Sequence, residues 1–345
     1  MQDVPTVIAT VGGEGTRLFP LTLKQPKPLV SLCGRAIVDR IFETLATQGC
    51  REFILASKGA ENTNRLKEYF KEGRGFSDRL KLHPKAIFRY QPNYDDAGNA
   101  DAVRFCMEYY NIKGDILVVS GDNVIDIDLR NLMEYHRKKK SLLTVGIKEL
   151  GDGEDISQYG VAELRDESRI KRFVEKPKPA EAPSRLINTS IYVFSPEIRK
   201  VFQEMGGEVR DIGQNVIPYL TERGYPVYGY EVEGYWADIG TPGSFLKTSQ
   251  DILHGKLSRI KFKQQTTLLK LIGLARAEEK KQIGEHVSIG ADCRIGNNAR
   301  IESSFIGDNC VIGEGAKIIG SVVMDFVNVE RNVYLNKCIV ARYAT

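Results

Sequence analysis

Residues 7–30 read VIATVGGEGTRLFPLTLKQPKPLV. The apolar run Thr6–Val11 reads as a buried strand. It breaks into Gly12-Gly13-Glu14-Gly15, followed by Thr16, Arg17 and, ten residues on, Lys27 between two prolines. Glycines past the C-terminal end of a strand let backbone N–H groups close on an anion, because no Cβ stands in the way. Arg17 and Lys27 add positive charge beside that nest, so the combination suits a polyphosphate. A bare Gly-Gly-x-Gly would be an ordinary turn with two surface cations. The string G-G-x-G-T-R-L-x-P-L-T, with P-K-P-L-V after it, is far longer than such a turn requires.

Two better-known nucleotide loops do not fit. The stretch has no G-x-x-x-x-G-K-[ST], which argues against a P-loop NTPase. Its glycines do not match G-x-G-x-x-G, which argues against a dinucleotide oxidoreductase. The string closely resembles the signature of the sugar-1-phosphate nucleotidyltransferases, or NDP-sugar pyrophosphorylases. That resemblance implies that Val11, Gly12, Gly13, Gly15 and Thr16 line a nucleotide site, and that Arg17 and Lys27 act in catalysis.

Outward from this stretch, the pattern stays α/β. Ala36–Gln48 reads as a helix, with Ile37, Ile41 and Leu45 recurring on one face. Glu52–Ser57 is a second buried strand, Glu61–Phe70 is helix-prone, and Ala86–Tyr90 is a third strand. The rhythm predicts a doubly wound, mostly parallel sheet, with ligands at the carboxyl ends of its strands. The family places a glycine and a helix start after the third strand, near the base. Here Gln91 precedes a polar turn over Asn93–Asp96, and Gly98-Asn99-Ala100 follow. By resemblance, Gln91 and Gly98 belong to the nucleotide site.

Asp115–Ser120 is a fourth buried strand running into Gly121-Asp122-Asn123. An aspartate just past a strand is well placed to hold a hard cation beside phosphates. The resemblance makes Asp122 both a nucleotide contact and a metal ligand. Leu142–Ile147 is another strand. Val161–Leu164 and Ile170–Val174 read as a hairpin between Tyr159-Gly160 and Glu175-Lys176-Pro177. Leu186–Phe194 (LINTSIYVF) resembles the family's N-x-G-I-Y strand, with Ser190 where glycine is commoner. These matches assign Gly160, Glu175, Lys176 and Asn188 to the sugar phosphate. Tyr225–Val232 reads as the last strand. Gly234-Tyr235-Trp236-Ala237-Asp238-Ile239-Gly240-Thr241 follows, with the chain's single Trp and the second metal ligand, Asp238. Phe245–Leu253 reads as a closing helix.

Past residue 282 the period changes. Branched aliphatic residues stand at 283, 289, 295, 301, 306, 312, 318, 323, 329, 335 and 340, in steps of six or five. Glycine follows several of them, and a small or branched residue lies four places on. This is a hexapeptide repeat, in which short sides stack their aliphatic residues into one column. It resembles the left-handed β-helix tail of many sugar nucleotidyltransferases. The expected domains are a catalytic domain over 1–255, a connector over 256–282 and the β-helix over 283–345. The fold class is a doubly wound, Rossmann-like α/β domain with a mixed sheet, then a short left-handed parallel β-helix.

The chain has 345 residues, 42% hydrophobic and 27% charged, with a net charge of +4. This is an ordinary globular mix with no case for nucleic-acid binding. Arg137–Lys140 reads as a solvated helix end. The six cysteines (33, 50, 106, 293, 310, 338) show no C-x-x-C, so neither zinc spacing nor a disulfide framework is visible. The N-terminus enters a strand without a leader, and no apolar run approaches the roughly 20 residues of a membrane span. The expectation is a cytoplasmic protein with reduced thiols and no membrane partner.

The reaction implied is NTP plus sugar-1-phosphate giving NDP-sugar and pyrophosphate, with Mg²⁺ as cofactor. The attacking phosphate is already an anion, so no general base is required, and no Ser–His or Cys–His pairing is evident. Two rivals come from other classes. A hexapeptide acyltransferase needs a catalytic histidine between long coils, and this short tail has only His286. A non-catalytic regulatory subunit would be expected to lose Arg17, Lys27, Asp122 or Asp238, and all four are present. Val11, Pro26–Val30 and Phe173–Pro177 look more like mannose-1-phosphate guanylyltransferases. The short tail also suits glucose-1-phosphate thymidylyl- or uridylyltransferases. The reading leans to GTP and mannose-1-phosphate and expects a homo-oligomer, with the β-helix contributing to assembly.

Overall fold

The computed structural model describes residues 4–13, 15–92, 95–259 and 283–345. From residue 260 onward the expected connector lies outside the described residues, as do Glu14 of the Gly-rich loop and Asn93 of the polar turn. Up to residue 259, the strands in chain order are β1 (Thr6–Thr10), β2 (Ser31–Leu32), β3 (Arg35–Ala36), β4 (Glu52–Ala56), β5 (Ile87–Tyr90), β6 (Ile116–Ser120), β7 (Asn123–Ile127), β8 (Leu143–Glu149), β9 (Gly160–Arg165), β10 (Arg169–Glu175), β11 (Leu186–Phe194), β12 (Val227–Glu231) and β13 (Gly234–Asp238).

Nine of them form one sheet in the order β5-β4-β1-β6-β11-β8-β12-β10-β9. The first four pair in parallel, as the sequence rhythm predicts. Val7, Ile8 and Ala9 of β1 are fully buried, which suits a strand covered on both faces. Beyond β6 the parallel run gives way, as the mixed sheet of the expected fold class requires, although β8 and β12 still pair in parallel. There β11 inserts antiparallel to both β6 and β8, and β9 and β10 form the expected antiparallel hairpin. The sheet is therefore mixed. Opposite β8, the register of β11 slips between Asn188 and Tyr192. Within that slip, Ser190 takes φ +58°, the left-handed region where glycine is commoner.

The sequence reading ends the strands at Val232, and the structure adds a further pair. β7 and β13 form a separate two-stranded ribbon. Ile239 N–H extends the pairing by donating to the Asp122 carbonyl at 3.1 Å. Helices run over Ile37–Thr47, Ala60–Phe70 and Pro242–Leu253, close to the predicted spans, and over Asn99–Tyr109, which starts after the third of the predicted strands. Ile37, Ile41 and Leu45 are all buried. None of the helices among the described residues is long and apolar enough to cross a membrane.

Residues 283–345 wind into coils whose short sides make three parallel sheets. Ile289 pairs with Ile306, Ile306 with Val323 and Val323 with Val340, each seventeen residues on. The repeat's aliphatic residues (Ile301, Ile306, Ile312, Ile318, Val323) and its small corner residues (Ala299, Cys310, Ala316) fill the interior. The glycines have a steric cause. A Cβ on Gly290, Gly296 or Gly307 would stand 2.5–2.6 Å from a backbone nitrogen of the next coil.

By compactness the described residues divide into two units. One lies within Met1–Gly13, Phe42–Gly121 and Ile127–Trp236 and holds the nine-stranded sheet. The other lies within Glu14–Ile41, Asp122–Asp126 and Ala237–Thr345, so it gathers the β-helix with the loop after the glycines and with both expected metal ligands.

Candidate active site

The second unit carries the charged cluster. Thr16–Leu18 and Lys27–Leu29 are single 3₁₀ turns. The chain between them folds back through a hydrogen bond from Thr22 Oγ1 to the Gly15 carbonyl at 3.0 Å. Gly15 has φ +64°, and a Cβ there would meet Thr22 at 2.9 Å and Lys27 at 3.0 Å. Only glycine fits this crossing. It delivers Lys27, which is 8% exposed, so that its Nζ lies 2.6 Å from Asp122 Oδ2 and 4.0 Å from Asp238 Oδ1. Gly240 completes the group. A Cβ there would stand 3.2 Å from Asp238 Oδ2 and 3.6 Å from the Arg17 guanidinium. Arg17, Lys27, Asp122 and Asp238, spread over more than two hundred residues of sequence, thus share one locality.

In the first unit, Gly12 and Gly13 are exposed, and nothing lies within 4 Å of where their Cβ atoms would stand. They offer backbone to open space at the end of β1. Val11 is buried, and its N–H bonds the Ala56 carbonyl at 2.8 Å. Its side chain explains Gly121, where a Cβ would lie 2.3 Å from Val11 Cγ1. Gln91 is buried at the end of β5, and its amide N–H donates to Asp96 at 2.8 Å. Gly98, expected at the nucleotide site, also has a steric role within the fold. Gly98 has φ +147°, and a Cβ there would stand 2.5 Å from the Arg210 carbonyl oxygen. Arg210's carbonyl in turn accepts from Ala100 N–H at 2.9 Å, docking the start of the helix Asn99–Tyr109.

A second polar cluster in this unit contains the expected sugar-phosphate residues. The Glu175 carboxylate occupies the space left by two glycines, 2.6 Å from the Cβ position of both Gly160 and Gly213. Burial raises its pKa, with the Asp211 carboxylate adding to the rise and Lys176 opposing it. Lys176 is at φ +47°, with its Nζ 3.9 Å from Glu175. Asn188 donates to Tyr192 Oη at 2.6 Å and accepts from Ser190 N–H at 3.0 Å. Trp236 donates its Nε1–H to the Thr189 carbonyl at 2.9 Å. Sequence reasoning missed Asp211 and Tyr192. Asp211 accepts from Asn99 Nδ2 at 2.7 Å and caps the turn at Ile212 through Gln214 N–H. The only local signal for it was Asp-x-Gly.

A Ser–His contact, not evident in sequence, does form. His136 Nε2 lies 3.0 Å from Ser195 Oγ, and Nδ1 lies 2.8 Å from Thr144 Oγ1. Ser195 donates its own proton to the Ser141 carbonyl at 2.7 Å, so His136 donates to Ser195 and cannot serve it as a base. Burial holds His136 neutral, lowering its pKa to about 4. All six cysteines are free thiols. Burial pushes Cys33 up to about 11 and Cys50 up to about 12, so these two are poor nucleophiles.

The donor chemistry fits the expected divalent cation. Among the described residues no group of three or more His, Cys, Asp or Glu side chains forms a closed metal cage. Asp122 and Asp238 instead form a carboxylate pair converging on one cationic group, Lys27 Nζ. Magnesium is commonly held by one or two carboxylates, with substrate phosphates and water completing the shell.

Residues 6–255 match the family model described as nucleotidyl transferase, and residues 274–345 match that of the EIF2B subunit epsilon LbH (left-handed β-helix) domain. A UTP–glucose-1-phosphate uridylyltransferase of Synechocystis sp. is 28% identical over 96% of this chain and 86% of its own length. A mannose-1-phosphate guanylyltransferase catalytic subunit beta of Drosophila pseudoobscura is 31% identical over 68% of this chain and 59% of its own. A solved structure assigned as a glucose-1-phosphate thymidylyltransferase from Bacillus anthracis, in complex with sucrose, superposes with a TM-score of 0.62. It is 22% identical, covering 76% of this chain and 98% of that one, a likeness of fold.

Proposed function

We propose that this chain, which belongs to the nucleotidyl transferase family, transfers a nucleotidyl group from an NTP to a sugar-1-phosphate, releasing pyrophosphate. The observation that carries the reading is the gathering of Arg17, Lys27, Asp122 and Asp238 beside Gly15 and Gly240. The chemistry brings two anions together and expels a third, so charge neutralisation and alignment are what it needs. Arg17 and Lys27 stabilise the charge growing on the departing pyrophosphate. Gly12, Gly13, Gly15 and Thr16 present backbone to the nucleotide phosphates, and Gln91 stands near the base. Asp122 and Asp238 would hold Mg²⁺, which supplies Lewis-acid neutralisation of the reacting phosphates. These carboxylates hold the Lys27 ammonium here, and with a divalent cation supplying that charge Lys27 would be available to the leaving group.

Lys176 serves the incoming phosphate. Glu175, whose carboxylate is accommodated by Gly160 and Gly213, offers hydrogen-bonding groups to sugar hydroxyls together with Asn188 and Asp211. GTP with mannose-1-phosphate is the preferred pair, supported by the guanylyltransferase relative. Glucose-1-phosphate with UTP or dTTP is the alternative, supported by the uridylyltransferase relative that spans nearly the whole chain.

The test is pyrophosphate release with Mg²⁺ across GTP, dTTP, UTP, CTP and ATP against mannose-, glucose-, galactose- and N-acetylglucosamine-1-phosphate. One strong combination, lost in Asp122→Asn, establishes the reaction and names its substrates. A blank grid sinks the enzyme reading and favours a regulatory subunit. Light scattering of the same preparation tests the expected homo-oligomer.

A further inference from the structure

We propose that Tyr343, on the last coil of the β-helix, is a positioning residue for the loop that carries Arg17 and Lys27. This goes beyond the reaction itself and rests on the proposed roles of those two cations. Lys24 lies in that loop, seven residues after Arg17 and three before Lys27. Its Nζ stands 5.1 Å from the centre of the Tyr343 ring. Tyr343 is stacked in turn on Phe326, one coil earlier, at 5.3 Å with 13° between the planes. An ammonium over an aromatic face is attracted by the ring quadrupole, and the stack beneath keeps that face in place.

Two further contacts brace the same cluster. Gly34, in the turn between β2 and β3, has φ +77°, and its Cβ position is 3.7 Å from the buried Phe305 ring of the β-helix. The helix Pro242–Leu253 begins four residues after Asp238, and from it Gln250 donates to the Ser303 carbonyl at 2.8 Å. The β-helix therefore meets the loop just before Lys27 through Lys24, lies beside the β2–β3 turn that follows the loop, and bonds the helix that follows Asp238. The loop's only regular structure between Gly15 and Val30 is two single 3₁₀ turns. Ordering such a segment costs conformational entropy. Contacts that order it before substrate arrives place Arg17 and Lys27 in advance, which is where alignment gains rate.

The test uses the full chain as wild type, Tyr343→Ala, Tyr343→Phe, Lys24→Ala and the Tyr343→Ala/Lys24→Ala double variant. Hydrogen–deuterium exchange is followed in peptides spanning 16–30. Steady-state rates are measured on the nucleotide and sugar phosphate that the wild type turns over. In Tyr343→Ala, exchange over 16–30 is expected to accelerate and kcat to fall about twofold to fivefold, with KM for the sugar phosphate little changed. Tyr343→Phe keeps the ring face and restores both readouts. The double variant loses no more than Tyr343→Ala alone, because both changes remove one contact. Wild-type exchange over 16–30 in both single alanine variants overturns the proposal. If the wild type itself turns over no substrate pair, the reaction reading fails, and the exchange data still decide this one. If Tyr343→Ala does not fold, Lys24→Ala, on the exposed side of the contact, decides it.

Discussion

Asp122 and Lys27 show how much a single side chain carries in this fold. Lys27 is nearly buried, and its 2.6 Å partner is Asp122. Asp122→Asn keeps the shape and removes the charge that would hold the metal. We expect kcat/KM for pyrophosphate release to fall about 10²–10³-fold, by analogy with removing one preorganised electrostatic group. Ser190 poses a different question, because it holds φ +58° in the slip of β11. Left-handed backbone costs an L-residue about 1–2 kcal/mol, and glycine in its place loses about 0.5–1 kcal/mol of chain entropy. Ser190→Gly should therefore raise stability by about 0.5–1 kcal/mol, read as a higher urea midpoint at unchanged slope. His136 sets part of the acid limit. Burial lowers its pKa from 6.5 to about 4, so between those values the unfolded chain binds a proton that the folded chain refuses. Its contribution is complete above about pH 6.5 and is lost as pH falls toward 4, up to about 3 kcal/mol. In His136→Gln, urea midpoints should fall less steeply across that window.

At the scale of elements, the β-helix and the mixed sheet obey different constraints. Each coil of the β-helix buries one aliphatic residue per short side, so its stability is a column of contacts. Ile318 lies between Ile301 and Leu335 in one ladder and is fully buried. Ile318→Ala should cost about 2–5 kcal/mol, because a cavity opens in a column that stacked coils cannot easily close. Thermal unfolding of the full chain measures it. In the sheet, the irregularity of β11 between Asn188 and Tyr192 is what brings Asn188, Ser190 and Tyr192 into contact. The register slip opposite β8 turns that part of the strand out of a plain ladder, and its polar groups bond one another instead.

For the molecule as a whole, the two compact units divide the proposed chemistry. The sugar cluster around Glu175 belongs to the unit of the large sheet. The carboxylate and cation cluster belongs to the unit that contains the β-helix. Activity should depend on both an intact chain and a divalent cation. Treatment with excess EDTA should abolish pyrophosphate release, and added Mg²⁺ should restore it. Activity that survives chelation would rule out Asp122 and Asp238 as holders of a required metal.

The sequence by itself determined the local conformations and the two architectures. The apolar run of β1, the glycines after it and the helical face of Ile37, Ile41 and Leu45 follow from short-range periodicity. The hexapeptide repeat needs no partner beyond its own next coil, so its interior residues could be read directly. Only the tertiary structure decided which charge meets which. Lys27 and Asp122 are 95 residues apart in the chain, and no local pattern encodes their contact. It also decided why certain glycines are glycines. Gly121 yields to Val11 and Gly98 to Arg210, both contacts across elements. Asp211 went unread for the same reason, since its meaning comes from Glu175 and Asn99, brought to it by separate segments of the fold. Backbone preferences act over a few residues, whereas burial and electrostatics act through space and become legible once the chain has closed on itself.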